Sequence, residues 1–335
     1  MLFLELLFTG CVAGVETVTH PTTQPQEQMQ LPSVSASKEI SIEATKQLET
    51  ETPLEDPVVP SLSQGIYALT ASTDGFHINS IDGDEIGIIP FEINGRADIS
   101  SDGKFLAFDN PGLGILSLYT EETITLEKLP PGLDPSWSPD NNQLVVISSE
   151  DPHDFGSIFV FDLEEYTTAR VTFSRGLESD PVWSPDGTWI AYVSDEESEM
   201  IGETKLYIID TSCIEKNSCL NTGRRLLPPS ERDFASQPSW SPDSQNIVYT
   251  CGGGIQGFDL CIYDLSNSST RVIVDHPNDD MSPHWSPDGN WIGFTRQDNV
   301  TFVNRAYIIM ANGEKERMIS GTDLDETFTS WLVIE

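Results

Sequence analysis

The chain has 335 residues, of which 38% are hydrophobic and 21% are charged, as is ordinary for a globular protein. Its 54 acidic and 17 basic residues give a formal net charge of −37, which opposes binding to nucleic acid phosphates or to an anionic bilayer. Beyond the N-terminus no apolar run approaches the roughly 18 residues that a membrane-spanning helix needs, so we predict a soluble body without nucleic acid partners.

The N-terminal region divides into an apolar segment and a polar linker. Residues 1–11 are apolar apart from Glu5 and end in FTGC, which resembles the lipobox of bacterial lipoproteins. We predict a signal segment with lipidation at Cys11; a plain secretory segment is the alternative. Residues 12–63 are rich in Pro, Thr, Gln, Ser and Glu, and they cannot bury enough apolar surface to offset chain entropy. They are predicted to be a disordered tether for a folded domain.

A short motif recurs through the rest of the chain and determines the fold prediction. W-S-P-D begins at Trp137, Trp183, Trp240 and Trp285, and a degenerate copy begins at Ile99. Each copy ends one β-rich run and precedes three more, for example WIAYVS, KLYIID and RRLL after Trp183. Each repeat therefore predicts a four-stranded antiparallel blade.

The two ends of this region complete one another. Residues 66–91 supply three runs (IYALTAS, FHINSID, EIGIIPF) without a preceding one, whereas residues 328–334 supply one run with nothing after it. A closed ring leaves only short, protected sheet edges. We therefore predict that residues 64–335 form an all-β, six-bladed β-propeller, closed by the C-terminal strand completing the first blade.

The motif residues are assigned structural roles. The Trp is expected to pack between neighbouring blades, Pro to fix the turn, Asp to accept local N–H hydrogen bonds and Gly to take positive φ. None of them is nominated as catalytic.

The cysteines indicate the redox compartment. Of the five, Cys11 stands alone, Cys213 and Cys219 lie in the longest interval between motifs, and Cys251 and Cys261 fall on adjacent predicted strands. We predict disulfides Cys213–Cys219 and Cys251–Cys261, which require an oxidising compartment. Free buried thiols are the alternative.

The W-S-P-D-G repeat, followed by I-A-[FY]-x-S and I-Y-x-x-D strands, resembles the propeller repeat of the TolB family over about residues 64–335. The resemblance implies a periplasmic propeller that binds a peptidoglycan-associated lipoprotein. In TolB itself an α/β domain precedes the propeller, where this chain has the polar linker.

The predicted binding site is the mouth of the central channel. The residues just before each motif Trp should approach it, and the third residue before each anchor is, in turn, Arg96, Asp134, Asp180, Gln237, Ser282 and Phe328. We predict that Arg96, Asp134, Asp180, Gln237 and Ser282 bind a partner or ligand. A polar channel filled with water is the alternative.

The sequence shows no catalytic constellation and no tight metal-ligand spacing. A G-x-S-x-G nucleophile elbow is absent, and His276 and His284 merely share one loop. Acidic clusters at 82–85 and 323–326 could bind calcium but more often serve as turns. We predict no catalytic residue, no metal site and no cofactor, with calcium left open.

These observations predict a non-catalytic extracytoplasmic binding or scaffold protein, periplasmic or at the cell surface and monomeric. It would engage a protein or peptide partner of the cell envelope through the channel face and contact the membrane only through its lipid anchor. The alternatives are a ligand or cation sensor and a carbohydrate lyase or hydrolase that uses Asp134 and Asp180 as acid and base. Carboxylates converging in an open pocket would favour the enzyme, and carboxylates held in salt bridges would count against it.

Overall fold

The computed structural model describes residues 64–73, 75–89, 96–109, 113–118, 123–125, 133–148, 156–173, 176–196, 198, 203–215, 218–219, 225–227, 234–253, 257–321 and 325–334. The predicted signal segment 1–11, with Cys11, and the predicted linker 12–63 lie outside these residues. Within the described ranges, no helix is long and apolar enough to cross a membrane.

Six four-stranded antiparallel sheets form the described part of the chain, which confirms the predicted six-bladed propeller. The strands, blade by blade, are β24 (Thr327–Ile334), β1 (Gly65–Ser72), β2 (Gly75–Asn79) and β3 (Glu85–Ile89); β4 (Ala97–Ile99), β5 (Phe105–Asp109), β6 (Leu113–Ser117) and β7 (Thr123–Thr125); β8 (Leu133–Trp137), β9 (Gln143–Ser148), β10 (Ser157–Asp162) and β11 (Thr167–Arg170); β12 (Glu178–Trp183), β13 (Trp189–Ser194), β14 (Lys205–Asp210) and β15 (Arg225–Leu226); β16 (Phe234–Trp240), β17 (Asn246–Gly252), β18 (Phe258–Asp264) and β19 (Ser269–Val274); β20 (Asp279–Trp285), β21 (Trp291–Gln297), β22 (Asn304–Met310) and β23 (Arg317–Met318). The first strand of each blade contacts the first strand of the next, so these strands surround the channel.

The ring closes as predicted. Strand β24 pairs antiparallel with β1, from Gly65 opposite Ile334 to Ala71 opposite Thr327. Trp331 and Leu332 of β24 are buried, so the last strand contributes core as well as backbone hydrogen bonds.

The core lies between neighbouring blades. One cluster joins Val145 and Val160 of the third blade to Tyr192 and Tyr207 of the fourth, whose rings stack with centroids 5.4 Å apart. Because each blade is covered on both faces, its middle strands are apolar almost throughout, as in β13, where every residue after Trp189 is buried.

The motif residues have the structural roles that were predicted. The indole Nε1 atoms of Trp137, Trp240 and Trp331 donate to backbone carbonyls of the preceding blade, at 3.1, 3.2 and 3.0 Å. In the fourth-blade turn, Asp186 accepts hydrogen bonds from Ser184 Oγ at 2.6 Å and the Thr188 N–H at 3.0 Å. Left-handed φ values follow at the next position: 71° at Gly103, 61° at Asn141, 73° at Gly187, 57° at Ser244 and 72° at Gly289.

Both predicted disulfides are present. Cys213, in the helical turn α1 (Ser212–Glu215) between β14 and β15, is bonded to Cys219. Cys251 on β17 is bonded to Cys261 on β18. The free-thiol alternative is therefore wrong.

Candidate channel-mouth site

Four first strands carry the same β-bulge at the channel mouth. In β8, β12, β16 and β20 the pairing register shifts by one residue, for example between Ser179 and Val182. The residue at each bulge precedes a proline and has left-handed φ: Asp134 (52°), Asp180 (55°), Gln237 (52°) and Ser282 (52°). This conformation costs an L-residue roughly 1–2 kcal/mol, so its repetition requires compensation.

A continuous series of hydrogen bonds between blades supplies that compensation. The N–H of each bulge residue donates to a side-chain oxygen of the preceding blade. The bonds run from Asp134 to Asp109 Oδ2 (2.9 Å), from Asp180 to Asp134 Oδ2 (3.3 Å), from Gln237 to Asp180 Oδ2 (3.0 Å) and from Ser282 to Gln237 Oε1 (2.9 Å). The bulge directs each N–H across the blade boundary, and the predicted ring of side chains is thereby tied together.

Arg96 joins the two predicted carboxylates. Its Nε lies 3.1 Å from Asp134 Oδ1, and its Nη1 is bonded to Asp180 Oδ1. The Asp180 side chain is 5% exposed and that of Asp134 19%, whereas that of Arg96 is 45% exposed. Burial raises the pKa of Asp134. The charge of Arg96 lowers this pKa, and the charge of Asp180 raises it further. Burial lowers the pKa of Arg96, but the attraction of Asp180 and Asp134 outweighs it, so this pKa is raised.

A second layer of side chains lies deeper in the channel. It consists of the residue directly before each anchor: Asp98, Ser136, Val182, Ser239, His284 and Ser330. Burial raises the pKa of Asp98 to about 6, against hydrogen bonds from the Trp137 N–H, Ser136 and the Ile99 N–H. Burial lowers the pKa of His284 to about 4, and Arg96 lowers it further, against the hydrogen bond with the Ser282 carbonyl.

Both layers line one cavity of about 680 Å³. All five predicted site residues lie around it, together with Phe328, the sixth member of the predicted ring. Phe328 is itself buried and lies 5.8 Å from the His284 ring, so this side of the cavity is aromatic. The volume lies within the range of small-molecule and peptide sites.

As far as the structure describes them, the other nominated residues do not assemble into a site. The N–H of Asn278 donates to His276 Nδ1, while His284 lines the cavity. Asp82 makes an ion pair with Arg317 at 3.3 Å, and Asp323 of the second acidic cluster lies outside the described residues. Among the residues that are described, no three His, Cys, Asp or Glu side chains are placed to hold one metal ion.

Sequence reasoning missed three functional candidates: Asp109, Asp98 and His284 as a cavity residue. Asp109, at the end of β5, accepts from the Arg96 N–H at 2.7 Å as well as from Asp134. The motif register could have indicated Asp98 and His284, because both stand directly before an anchor. Nothing in the register places Asp109 at the mouth, since it ends a second strand.

The family of the chain follows from a direct match over most of this propeller. A family model described as the TolB beta propeller domain matches residues 98–334. The chain belongs to this family. The TolB-type repeat thus covers the predicted ring from Asp134 to Phe328 and the deeper layer from Asp98 onward, while Arg96 lies just before it.

Solved structures share the TolB-type fold. TolB from Acinetobacter baumannii is 17% identical with a TM-score of 0.64, over 80% of this chain and 66% of that one. A putative TolB from Agrobacterium tumefaciens is 19% identical with a TM-score of 0.58, over 82% and 100%. An oligogalacturonate lyase in complex with manganese is 14% identical with a TM-score of 0.52, over 74% and 71%. Identities this low show the fold alone.

Proposed function

We propose that this TolB-type propeller is a non-catalytic, extracytoplasmic binding or scaffold protein that engages a protein or peptide of the cell envelope through the channel mouth. The face formed by Arg96, Asp134, Asp180, Gln237 and Ser282 is the proposed contact. Membership of the TolB family supports this function, and the disulfides support an oxidising compartment.

One observation carries the proposal: the mouth carboxylates are already hydrogen-bonded while the cavity beside them stays open. Asp134 and Asp180 bind Arg96 and accept N–H groups from the next blade. A rim fixed in this way holds its charges in place before a partner arrives, and fixed, complementary charges favour specific and rapid docking.

The anchoring part of the proposal rests on the sequence. Lipidation at Cys11 with residues 12–63 as tether would place the propeller, residues 64–335, at a membrane surface as a monomer. Metabolic labelling with a palmitate analogue, compared between the full chain and Cys11→Ser, tests it. Label on the variant would contradict lipidation at Cys11.

The enzyme alternative has one supporting observation and one against it. An oligogalacturonate lyase shares the fold. A general acid and base need separated, accessible protonation states, yet Asp134 and Asp180 share a single arginine partner and Asp180 is buried. The salt bridges therefore favour binding over catalysis.

Affinity purification from envelope extract tests the function. The full chain, Asp134→Asn and the control Asp264→Asn serve as baits, with folding of each checked by circular dichroism. Asp264 ends β18 outside the cavity lining, and it accepts a hydrogen bond from the Ser266 N–H at 2.8 Å. We expect a partner held by the full chain and by the control, and lost or weakened about tenfold in Asp134→Asn, which removes the charge of a mouth carboxylate.

Equal retention by all three baits would place the interface away from the mouth. Incubation of the same proteins with oligogalacturonate tests the alternative, since a lyase releases unsaturated products. Product formation lost in Asp134→Asn would overturn the non-catalytic assignment.

A further inference from the structure

We propose that the group entering the channel is a cation carried by a peptide: an arginine or lysine side chain or an N-terminal amine of the partner. This inference rests on the proposed function and names the chemistry that the same cavity selects. It follows from the charge around the mouth, the unsatisfied groups below it and the hydrogen bonding of the carboxylates.

The mouth carries excess negative charge. Asp109, Asp134 and Asp180 all contact Arg96, and three carboxylates against one guanidinium leave a net charge of −2. Asp98 adds a further carboxylate in the deeper layer. The wider chain, at −37, reinforces the same sign of potential. A polyanion such as an oligouronate would enter against this field, whereas a cation is attracted by it.

Below the mouth, the cavity contains polar groups that lack partners among the described residues. Ser330 lines the cavity and is 8% exposed, and its hydroxyl makes no hydrogen bond within the described residues. His284 Nδ1 lies 3.1 Å from the Ser282 carbonyl, and since a carbonyl only accepts, Nδ1 carries the proton. Nε2 of the neutral ring is left as an acceptor. These groups can receive the N–H donors of an ammonium or guanidinium.

The same carboxylates are poorly arranged for a bare metal ion. Both oxygens of Asp180 already accept an N–H, Asp134 Oδ2 accepts the Asp180 N–H, and Asp134 Oδ1 is ion-paired with Arg96 Nε. Asp98 accepts from the Trp137 N–H at 2.9 Å and from Ser136. A divalent ion requires several oxygens free to ligate it directly, whereas an organic cation can use the remaining lone pairs and the field, and can pack its apolar stem on Phe328.

Calorimetric titration of the full chain with small probes tests this inference. The probes are N-acetyl-arginine amide, its neutral near-isostere N-acetyl-citrulline amide, and calcium chloride. We expect the arginine probe to bind with a Kd in the millimolar range or below and the citrulline probe about tenfold more weakly. Asp98→Asn should weaken the arginine probe about three- to tenfold, and Ser330→Ala should weaken it about twofold.

The control variant is Asp264→Asn, an acid in the β18–β19 turn that does not line the cavity, and it should bind the arginine probe as the parent does. Equal binding of both amides, binding of calcium that excludes the arginine probe, or no binding of the arginine probe up to about 20 mM would overturn the inference. A protein partner lost in Asp134→Asn alongside any of these results would leave the proposed function standing.

Discussion

The motif turns and the channel mouth lie at opposite ends of the same short strands, yet different features recur in them from blade to blade. In β12, for instance, Asp180 stands at the mouth and Trp183 begins the turn. The turns repeat side chains as well as backbone: Ser184, Ser241 and Ser286 each bond the Asp two residues on. The mouth repeats its backbone, the left-handed bulge, while its side chains change from Asp to Gln to Ser.

This difference shows where the fold constrains sequence and where it does not. A turn that must close with the same hydrogen bonds in every blade tolerates few residues. The bulge tolerates more variety: Asp134, Asp180 and Gln237 each accept one N–H from the next blade, whereas the Ser282 hydroxyl accepts from Gln237 Nε2 of the preceding blade. Chemistry specific to this protein can therefore vary at the mouth without loss of the fold.

The largest expected effect comes from removing an anchor at the closing strand. Trp331→Ala deletes a buried ring that packs on Phe328, with centroids 5.2 Å apart, and donates to the His284 carbonyl at 3.0 Å. We expect a loss of about 3–5 kcal/mol in the free energy of unfolding, measured by urea denaturation. Val300→Ala, at a residue 85% exposed, should change it by less than about 0.5 kcal/mol. Similar losses of unfolding free energy in the two variants would contradict a stabilising role for the closing strand.

The turn glycines offer a graded comparison. Gly103 and Gly187 have nearly equal φ, 71° and 73°, but a Cβ at Gly103 would lie 2.8 Å from the Val333 carbonyl oxygen, whereas at Gly187 its nearest atom is Pro139 Cγ at 3.5 Å. We expect Gly187→Ala to cost about 1–2 kcal/mol from backbone strain alone. Gly103→Ala should cost about 1 kcal/mol more, because the closing strand must shift. Equal decreases in the denaturation midpoints of the two variants would show that the contact with the Val333 carbonyl oxygen adds no cost.

The turns also explain how much of the molecule the sequence predicts. Blade number, strand order, closure and both disulfides follow from the W-S-P-D register, because each motif residue has one structural role that its chemistry demands. The ring at Arg96, Asp134, Asp180, Gln237 and Ser282 follows from the same register. The hydrogen bonds that join this ring do not follow from the register. Asp109 contributes to them from the end of β5, the second strand of its blade, and only the bulge geometry shows that N–H groups donate from one blade to the preceding one.

At the mouth, Arg96→Gln removes the cation shared by two carboxylates. Because Arg96 is 45% exposed, solvent screening limits the loss to about 1–2 kcal/mol at neutral pH. Burial already raises the pKa of Asp134, and without Arg96 it should rise further. The loss should therefore shrink between neutral pH and about pH 4, as Asp134 gains a proton. Urea titrations at the two pH values measure this. The control is Arg271→Gln, since Arg271 lies on the outer strand β19 and donates to the Ala311 carbonyl at 2.9 Å. A loss independent of pH would show that Arg96 acts through packing.

The smallest effect concerns the deeper layer. The pKa of Asp98 is about 6 in the folded protein, above the value of about 3.9 expected in an unfolded chain. Between these values the folded state binds more protons than the unfolded state, so the Asp98 contribution to stability falls as pH rises through that window. Asp98→Asn keeps an acceptor for the Trp137 N–H and cannot ionise. Relative to the parent, the variant should gain about 1 kcal/mol in stability between about pH 4 and pH 7. A difference that stays constant with pH would mean that channel water, reaching Asp98 from the mouth, cancels the effect of its burial.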